Sequence, residues 1–319
     1  MSTRYSLRTH LITTTLTLLF FAPLSLYAQD ASDLIGRWNL EVKGEDMSYP
    51  SWLEIQKSGN NTLVGHFVGQ FGSARPVSEI EYDGSMLRFS IPPQWENRRD
   101  HLVFMGQFNE NKIKGKTTDE EGNTLTWKGW RAPDLNSHPI EKWSAPVALF
   151  NGENVDNWTT QFTDMENSWS VSDGLLKNKG AGNNLISKDT FSDFKLTAEF
   201  RYPEGSNGGI YLRGRYELQI EDGFGAEAHS EKIGGIYGFI TPSMNASKPA
   251  GEWQRMDVEL VGRKVTVHLN GERIIDRQTI RGMTGGALDN YEDKPGPIML
   301  QGDHGPLEFR KLEIQVPGE

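Results

Sequence analysis

The sequence predicts an all-β chain of two domains. A smaller N-terminal β-barrel or β-sandwich is expected over residues 33–132, and a larger two-sheet sandwich over residues 147–317, with a linker at 133–146. Two observations predict it: apolar-alternating runs recur from Asp33 onward, and Gly, Asn and Asp turn pairs separate them. In the first segment no three-turn helical period interrupts this pattern. With 319 residues, 36% hydrophobic and 10% aromatic, the chain can bury one large core or two ordinary ones.

The first residues form a separate unit. Arg4, Arg8 and His10 precede an uncharged, mostly apolar run from Leu11 to Leu26, followed by Tyr27-Ala28 and the first acid, Asp30. This is the pattern of a secretory signal peptide over residues 1–28, cut near Ala28. The apolar run is short against the roughly 20 residues a membrane span needs. The expected product is exported, with a bacterial periplasm as its compartment and no membrane span after cleavage.

The N-terminal strands are placed by Ser51–Ile55, Thr62–Val68, Met86–Ile91 and Leu102–Met105, with turns at Asp83-Gly84 and Asn109–Asn111. Gly36-Arg37-Trp38 resembles the G-x-W opening of lipocalin-like barrels, where the Trp plugs the floor; an ordinary core Trp is the competing reading. A polar linker marked by Pro133, Pro139 and Pro146 ends the domain.

The second segment repeats the pattern at larger scale. Trp169–Val171 meets Leu175-Leu176 across Asp173-Gly174, and Lys264–Leu269 turns at Asn270-Gly271, a pair that tolerates positive φ. About 170 residues of such strands imply two stacked sheets. No period of about 20 to 50 residues recurs, which excludes propellers and solenoids.

Composition narrows the chemistry. With no Cys, thiolate nucleophiles, disulfides and thiolate metal sites are absent, so any metal must sit on oxygen or His. A net charge of −10 opposes binding to a phosphate backbone, so nucleic acid is not an expected partner.

Strand parity locates a polar face. In Leu196–Arg201 the apolar set leaves Thr197, Glu199 and Arg201 opposite. In Ile210–Arg213 it leaves Tyr211 and Arg213, and in Glu217–Glu221 it leaves Glu217, Gln219 and Glu221. Three successive strands with two Arg, a Tyr, a Gln and three Glu predict a groove for fork-like hydrogen bonding, against the plainer reading of a solvated sheet face. Downstream, Ile298–Gln301 runs into Gly302-Asp303-His304-Gly305, where an acid can orient an imidazole for acid–base work.

Several segments then resemble a known family, the 3-keto-disaccharide hydrolases. They are Leu149–Gly152, Asp156–Trp158, Trp169–Gly174, Phe194–Arg201, Ser206–Arg213, Tyr216–Asp222, Gly235–Tyr237, Gly251–Gln254, Leu269–Gly271 and Gln301–Gly305 with Phe309-Arg310. In order and spacing they span residues 147–316. The chain departs from the common pattern at Gln254, where Asn often follows Trp, and at Gly302, which is an extra residue. The resemblance implies a concanavalin A-like jelly roll acting on glycosides oxidised to a ketone at C3, and so an upstream oxidoreductase that forms the ketone. It implies β-elimination, with water addition to the enone making net hydrolysis.

On that reading His304 is the expected base, with Glu199 and Glu221 as rivals, and Arg213 is the oxyanion partner. Asn207, Tyr211, Glu217, Gln219, Tyr237 and Gln301 are the expected substrate-binding residues. A divalent cation is admitted but unassigned, with Glu199, Glu221 and Asp222 as oxygen donors. Two alternatives stand beside this reading: a non-catalytic carbohydrate-binding protein, and a conventional glycoside hydrolase using Glu217 and Glu221. The N-terminal domain is expected to capture sugar or dock a partner, with an apolar ligand of its own as the third reading.

Overall fold

A computed structural model describes residues 31–318. The expected signal peptide at 1–28 lies outside the described residues.

The N-terminal segment is a meander closed on itself. Its strands are β1 (Gly36–Lys43), β2 (Ser48–Ser58), β3 (Thr62–Val68) and β4 (Arg75–Tyr82), then β5 (Met86–Ile91), β6 (Leu102–Asn109), β7 (Lys112–Thr118) and β8 (Thr124–Arg131). Each pairs antiparallel with the next, and β8 returns to β1 with Trp38 opposite Arg131. Closure removes both sheet edges, which resolves the barrel-or-sandwich choice in favour of the barrel. Inward residues such as Leu40, Leu53, Phe67, Phe89, Phe104 and Trp127 fill it. Trp38 is fully buried, donates from Nε1 to the Leu34 carbonyl at 2.9 Å, and lies under the Arg131 guanidinium at 3.9 Å. The weaker strands β4 and β7 carry Pro76 and Gly115, which blunt the alternation a sequence reading depends on.

After residues 132–146, which hold no strand, comes the sandwich. Its strands begin with β9 (Val147–Ala148), β10 (Trp158–Thr160), β11 (Trp169–Ser172), β12 (Leu175–Asn178) and β13 (Leu185–Phe191). They continue with β14 (Phe194–Arg201), β15 (Asn207–Leu212), β16 (Tyr216–Glu221) and β17 (Gln254–Val261). The last four are β18 (Lys264–Leu269), β19 (Glu272–Thr279), β20 (Gly296–Leu300) and β21 (Leu307–Gln315). One sheet runs β10-β13-β20-β15-β16. The other runs β11-β12-β21-β14-β17-β18-β19, with β9 added on β21. The Asp173-Gly174 and Asn270-Gly271 turns have positive φ at both residues, as a tight hairpin requires.

Between the sheets lies one apolar core. Ile210, Leu212, Leu218, Ile220 and Leu300 from the five-stranded sheet meet Leu196, Ala198, Phe200, Met256 and Phe309 from the other. In β16 five of six residues are buried, so its outward face is covered as well. The connection between β19 and β20 provides part of that cover, with Glu217 N–H donating to Thr284 Oγ1 at 3.0 Å and the Tyr211 hydroxyl meeting the Gly285 carbonyl at 2.9 Å, and the barrel packs on this connection. Trp52 and Val68 pack on Met283 and Ala287, and the Asn39 and Asn290 amides each donate to a carbonyl across the junction, at 2.6 and 2.5 Å. Gly285 lies so close to the barrel that a Cβ there would meet the Gly72 carbonyl oxygen at 2.6 Å, and Gly286 N–H donates to the Gln70 carbonyl at 2.8 Å.

One expectation is corrected here. The sequence reading put β14 on the same polar face as β15 and β16, but β14 belongs to the other sheet. Thr197, Glu199 and Arg201 therefore lie on the opposite outer surface of the sandwich. Parity fixes which residues of one strand share a face; it carries no information about which sheet the strand joins.

Candidate active site

The outer face of β15 and β16 forms the floor of a cavity of about 520 Å³ roofed by barrel loops. Asn207, Tyr211, Glu217, Gln219, Tyr237, Gln301 and His304 all line it. Register explains the floor: Tyr211 lies opposite Glu217, and Gly209 opposite Gln219. A Cβ at Gly209 would meet Glu217 Oε1 at 2.8 Å, so the missing side chain makes room for the carboxyl. Gly286, at φ +77°, likewise leaves the space that the Tyr211 hydroxyl occupies.

Glu217 is the unusual group. It is buried, and desolvation pushes its carboxyl up to about 8, with Asp303 adding to the rise while Tyr211 and His304 oppose it. The hydrogen bonds agree with a neutral acid. The Tyr211 hydroxyl lies 3.0 Å from Glu217 Oε2 and 2.9 Å from the Gly285 carbonyl oxygen. One phenolic proton serves one acceptor, and a carbonyl can only accept. Both contacts are satisfied when Tyr211 donates to Gly285 and a protonated Glu217 donates to Tyr211; an ionised Glu217 would draw the Tyr211 proton to itself and leave the Gly285 carbonyl without it, and that donation is how Tyr211 opposes the rise.

His304 sits on the turn after β20. Asp303 Oδ1 is 2.7 Å from its Nδ1, and this contact is the main reason its pKa is raised, against a smaller lowering by burial. A carboxylate accepts, so Nδ1 carries the proton and Nε2 is left with its lone pair. The turn is held on every side. Gly305 N–H donates to the Asn207 carbonyl at 2.7 Å, Ala181 N–H to the His304 carbonyl at 3.1 Å, and Asn178 Nδ2 to the Gly302 carbonyl at 3.1 Å. The extra Gly302 fits this clamp, since a Cβ there would lie 2.1 Å from the Asn183 carbonyl oxygen.

The amides complete the floor. Gln219 Nε2 donates to Asn207 Oδ1 at 2.9 Å, while Gln219 Oε1 and Gln301 Oε1 are buried with no protein partner. Buried acceptors without a donor are costly, and a ligand hydroxyl supplies one. Tyr237 keeps its proton, because burial pushes its hydroxyl up to about 12.

Three expected catalytic residues lie elsewhere. Arg213 sits in the β15–β16 turn at φ +56°, which breaks the strand alternation. Its buried guanidinium donates to the Gly262 carbonyl and stacks on Tyr216 at 5.4 Å, so it braces the fold. Glu199 is held on the opposite sheet by Arg310 at 2.7 Å and Arg255 at 3.2 Å. Glu221 does not line the cavity and pairs with Lys232 Nζ at 2.8 Å. Asp222, the remaining expected cation donor, accepts from Gly205 N–H at 2.9 Å. Glu199, Glu221 and Asp222 thus do not converge on a cation. Among the described residues no group of three His, Asp or Glu has the geometry of a metal site.

The sequence reading missed Gln161, Phe162, Met165 and Asn184 from the loops around β10 and β13, and Phe71, Gly72 and Trp95 from the barrel. A Trp placed just after a Pro-Pro break, in Pro92-Pro93-Gln94-Trp95 and outside any apolar alternation, was the available signal.

Comparison with known proteins adds the family. Among curated proteins none matches the chain. Of solved structures, a "putative glycosyl hydrolase" from Parabacteroides distasonis is 27% identical with a TM-score of 0.47, over 54% of this chain and 83% of that one. A second such structure from the same organism is 26% identical with a TM-score of 0.41, over 55% of this chain and all of that one. A non-specific endo-β-1,3(4)-glucanase of family GH16 is 9% identical with a TM-score of 0.38, over 59% of this chain and 96% of that one. The model of the 3-keto-alpha-glucoside-1,2-lyase-like domain matches residues 145–315, essentially the whole sandwich, and the chain therefore belongs to that family, as a carbohydrate-active protein that works on glycosides.

Proposed function

We propose that the cavity cleaves 3-keto-glycosides by β-elimination, with His304 as base and Glu217 as acid. The observation that carries this reading is a buried carboxyl, pushed toward its neutral form by desolvation and held against the Tyr211 hydroxyl, sharing one cavity with an acid-oriented imidazole. A ketone at C3 acidifies the C2 proton. His304 Nε2 takes that proton, the C–H electrons form the C1=C2 bond, and the C1–O bond breaks. The Glu217 proton passes to the departing oxygen, so the products are an enone sugar and an alcohol. Tyr237 donates to the C3 oxygen as negative charge builds there, in the place first given to Arg213. Gln219, Gln301 and Asn207 hold ring hydroxyls, and water addition to the enone gives net hydrolysis.

Double displacement has less support. It needs a second carboxyl about 5 to 5.5 Å from the first to act as nucleophile, but Glu221 is engaged with Lys232 outside the cavity, and Asp303, the other acid that lines it, is bound to His304 Nδ1 at 2.7 Å. The reading includes export through the leader, and supply of the ketone by an oxidoreductase that oxidises a sugar C3 hydroxyl.

The test is to incubate the purified chain with a 3-keto-glucoside bearing a chromogenic aglycone, beside the unoxidised glucoside. Release from the ketone alone is the expected result. Release from both overturns elimination in favour of a standard hydrolase, and binding without release from either leaves a carbohydrate-binding protein.

A further inference from the structure

The barrel contributes to the same cavity, and its contribution differs in kind from the floor. Phe71 lies between β3 and β4, and Trp95 between β5 and β6; both line the cavity beside Gly285 and Gly286 of the sandwich. Their side chains are open to solvent, at 58% and 64% exposure. Phe162 and Met165, from the sandwich loops, are each 45% exposed and line the same cavity. The acids and most of the amides are on the floor, and the opening is ringed by apolar side chains.

Exposed aromatic rings of this size are expensive to leave in water, and these are held in place. Arg75 grips Glu96 with two bonds at 2.9 and 3.1 Å and also donates to the Pro92 carbonyl at 3.2 Å. Glu96 Oε2 in turn accepts from Gln94 N–H at 2.8 Å and Trp95 N–H at 3.2 Å. Gln94 bonds Ser73 through both its amide atoms, at 3.0 and 3.3 Å. The indole then lies over Gly72, where a Cβ would meet Trp95 Cδ1 at 2.4 Å. Phe71 is fixed from the other side by the bond between its neighbour Gln70 and Gly286. Two barrel loops and one sandwich loop thus form a single braced frame around two exposed rings.

From this we infer that Trp95 and Phe71 are the leaving-group subsite, and that they select an aglycone carrying a planar aromatic ring. The inference rests on the elimination reading for the position of the sugar: its C1–O bond lies over Glu217 and His304 on the floor, so the aglycone must extend to the rim. A second sugar there would need hydrogen-bond partners for its hydroxyls. The amides that the sandwich loops bring to the cavity are engaged, Asn184 Nδ2 donating to Gln161 Oε1 at 2.7 Å and Asn184 Oδ1 accepting from Gly302 N–H at 2.8 Å, while Trp95, Phe71 and Phe162 with Met165 offer stacking faces and polarizable sulfur. Phe71 and Trp95 also wall a second cavity of about 240 Å³ at the barrel mouth.

The test compares 3-keto-glucosides with benzyl, methyl and glucosyl leaving groups, whose departing oxygens are all of the alkoxide type. In the full chain, Trp95→Ala is expected to lower kcat/KM at least tenfold for benzyl and to leave methyl within twofold, with Trp95→Phe restoring much of the loss. Phe71→Ala should act in the same direction. Equal losses for benzyl and methyl, or none for either, overturn the subsite; a glucosyl loss as large as the benzyl loss overturns the aromatic preference. Calorimetric binding of benzyl and methyl glucosides to the wild-type chain and Trp95→Ala separates this from the reaction. Tighter benzyl binding that disappears in the variant supports the subsite even if no ketone is cleaved, and equal binding overturns it.

Discussion

At the scale of single residues, Glu217 is the group most strongly altered by its surroundings. The folded chain holds its proton up to about pH 8, whereas an ordinary carboxyl releases it near 4.5. Between those values the folded state binds more protons than the unfolded one, so stability falls as pH rises, by roughly 3 to 5 kcal/mol across the window. Glu217→Gln removes the titration and keeps the shape. Its melting temperature is expected to equal or exceed that of wild type at pH 8.5 and to lose that advantage by pH 5, while its turnover drops at least a hundredfold at both.

His304 sets the opposite limb. Asp303 raises its pKa from the ordinary 6.5, so activity should climb only as pH passes above that value, then fall near pH 8 as Glu217 ionises. Each group perturbs the other, so the two limbs belong to the pair. In Asp303→Asn the carboxylate that raises the imidazole is gone, and the acid limb of kcat/KM should move to lower pH. A profile that stays put in that variant would remove His304 from the base role.

Among elements, the β15–β16 hairpin does most to build the site. Its register puts Tyr211 against Glu217 and a glycine under the carboxyl. Gly209→Ala is expected to push that carboxyl toward solvent. The alkaline limb should shift to lower pH and kcat should fall about tenfold, with a stability cost of about 1 kcal/mol, checked by pH profiles and thermal melts. The same hairpin shows what a sequence can convey. Alternation named Tyr211, Glu217 and Gln219 as one face, and all three line the cavity. It also carried Arg213 along, because nothing in the pattern announces a residue at φ +56° where the strand has already turned. Glu199 failed for a different reason: β14 has the same polar–apolar rhythm, but it joins the other sheet.

For the whole molecule, barrel and sandwich form one unit, and the cavity exists only between them. Trp52, fully buried, is the largest side chain in the apolar cluster at that junction. Trp52→Ala should cost about 3 to 5 kcal/mol and lower activity with it, although the residue does not line the cavity. This joint was the least legible part of the sequence. The turns and strands of each domain are local patterns, whereas the approach of Gly72 to Gly285 joins positions more than two hundred residues apart. Trp95 and Phe71 were therefore unremarked, although the barrel itself was expected to capture sugar or dock a partner.

The most direct test of the whole scheme is the fate of the C2 hydrogen. Wild-type chain turning over a 3-keto-glucoside deuterated at C2 should show a primary isotope effect on kcat/KM. His304→Ala should lose turnover while still binding the sugar. No isotope effect, together with a covalent glycosyl ester trapped on Glu217, would contradict elimination and leave a displacement at C1.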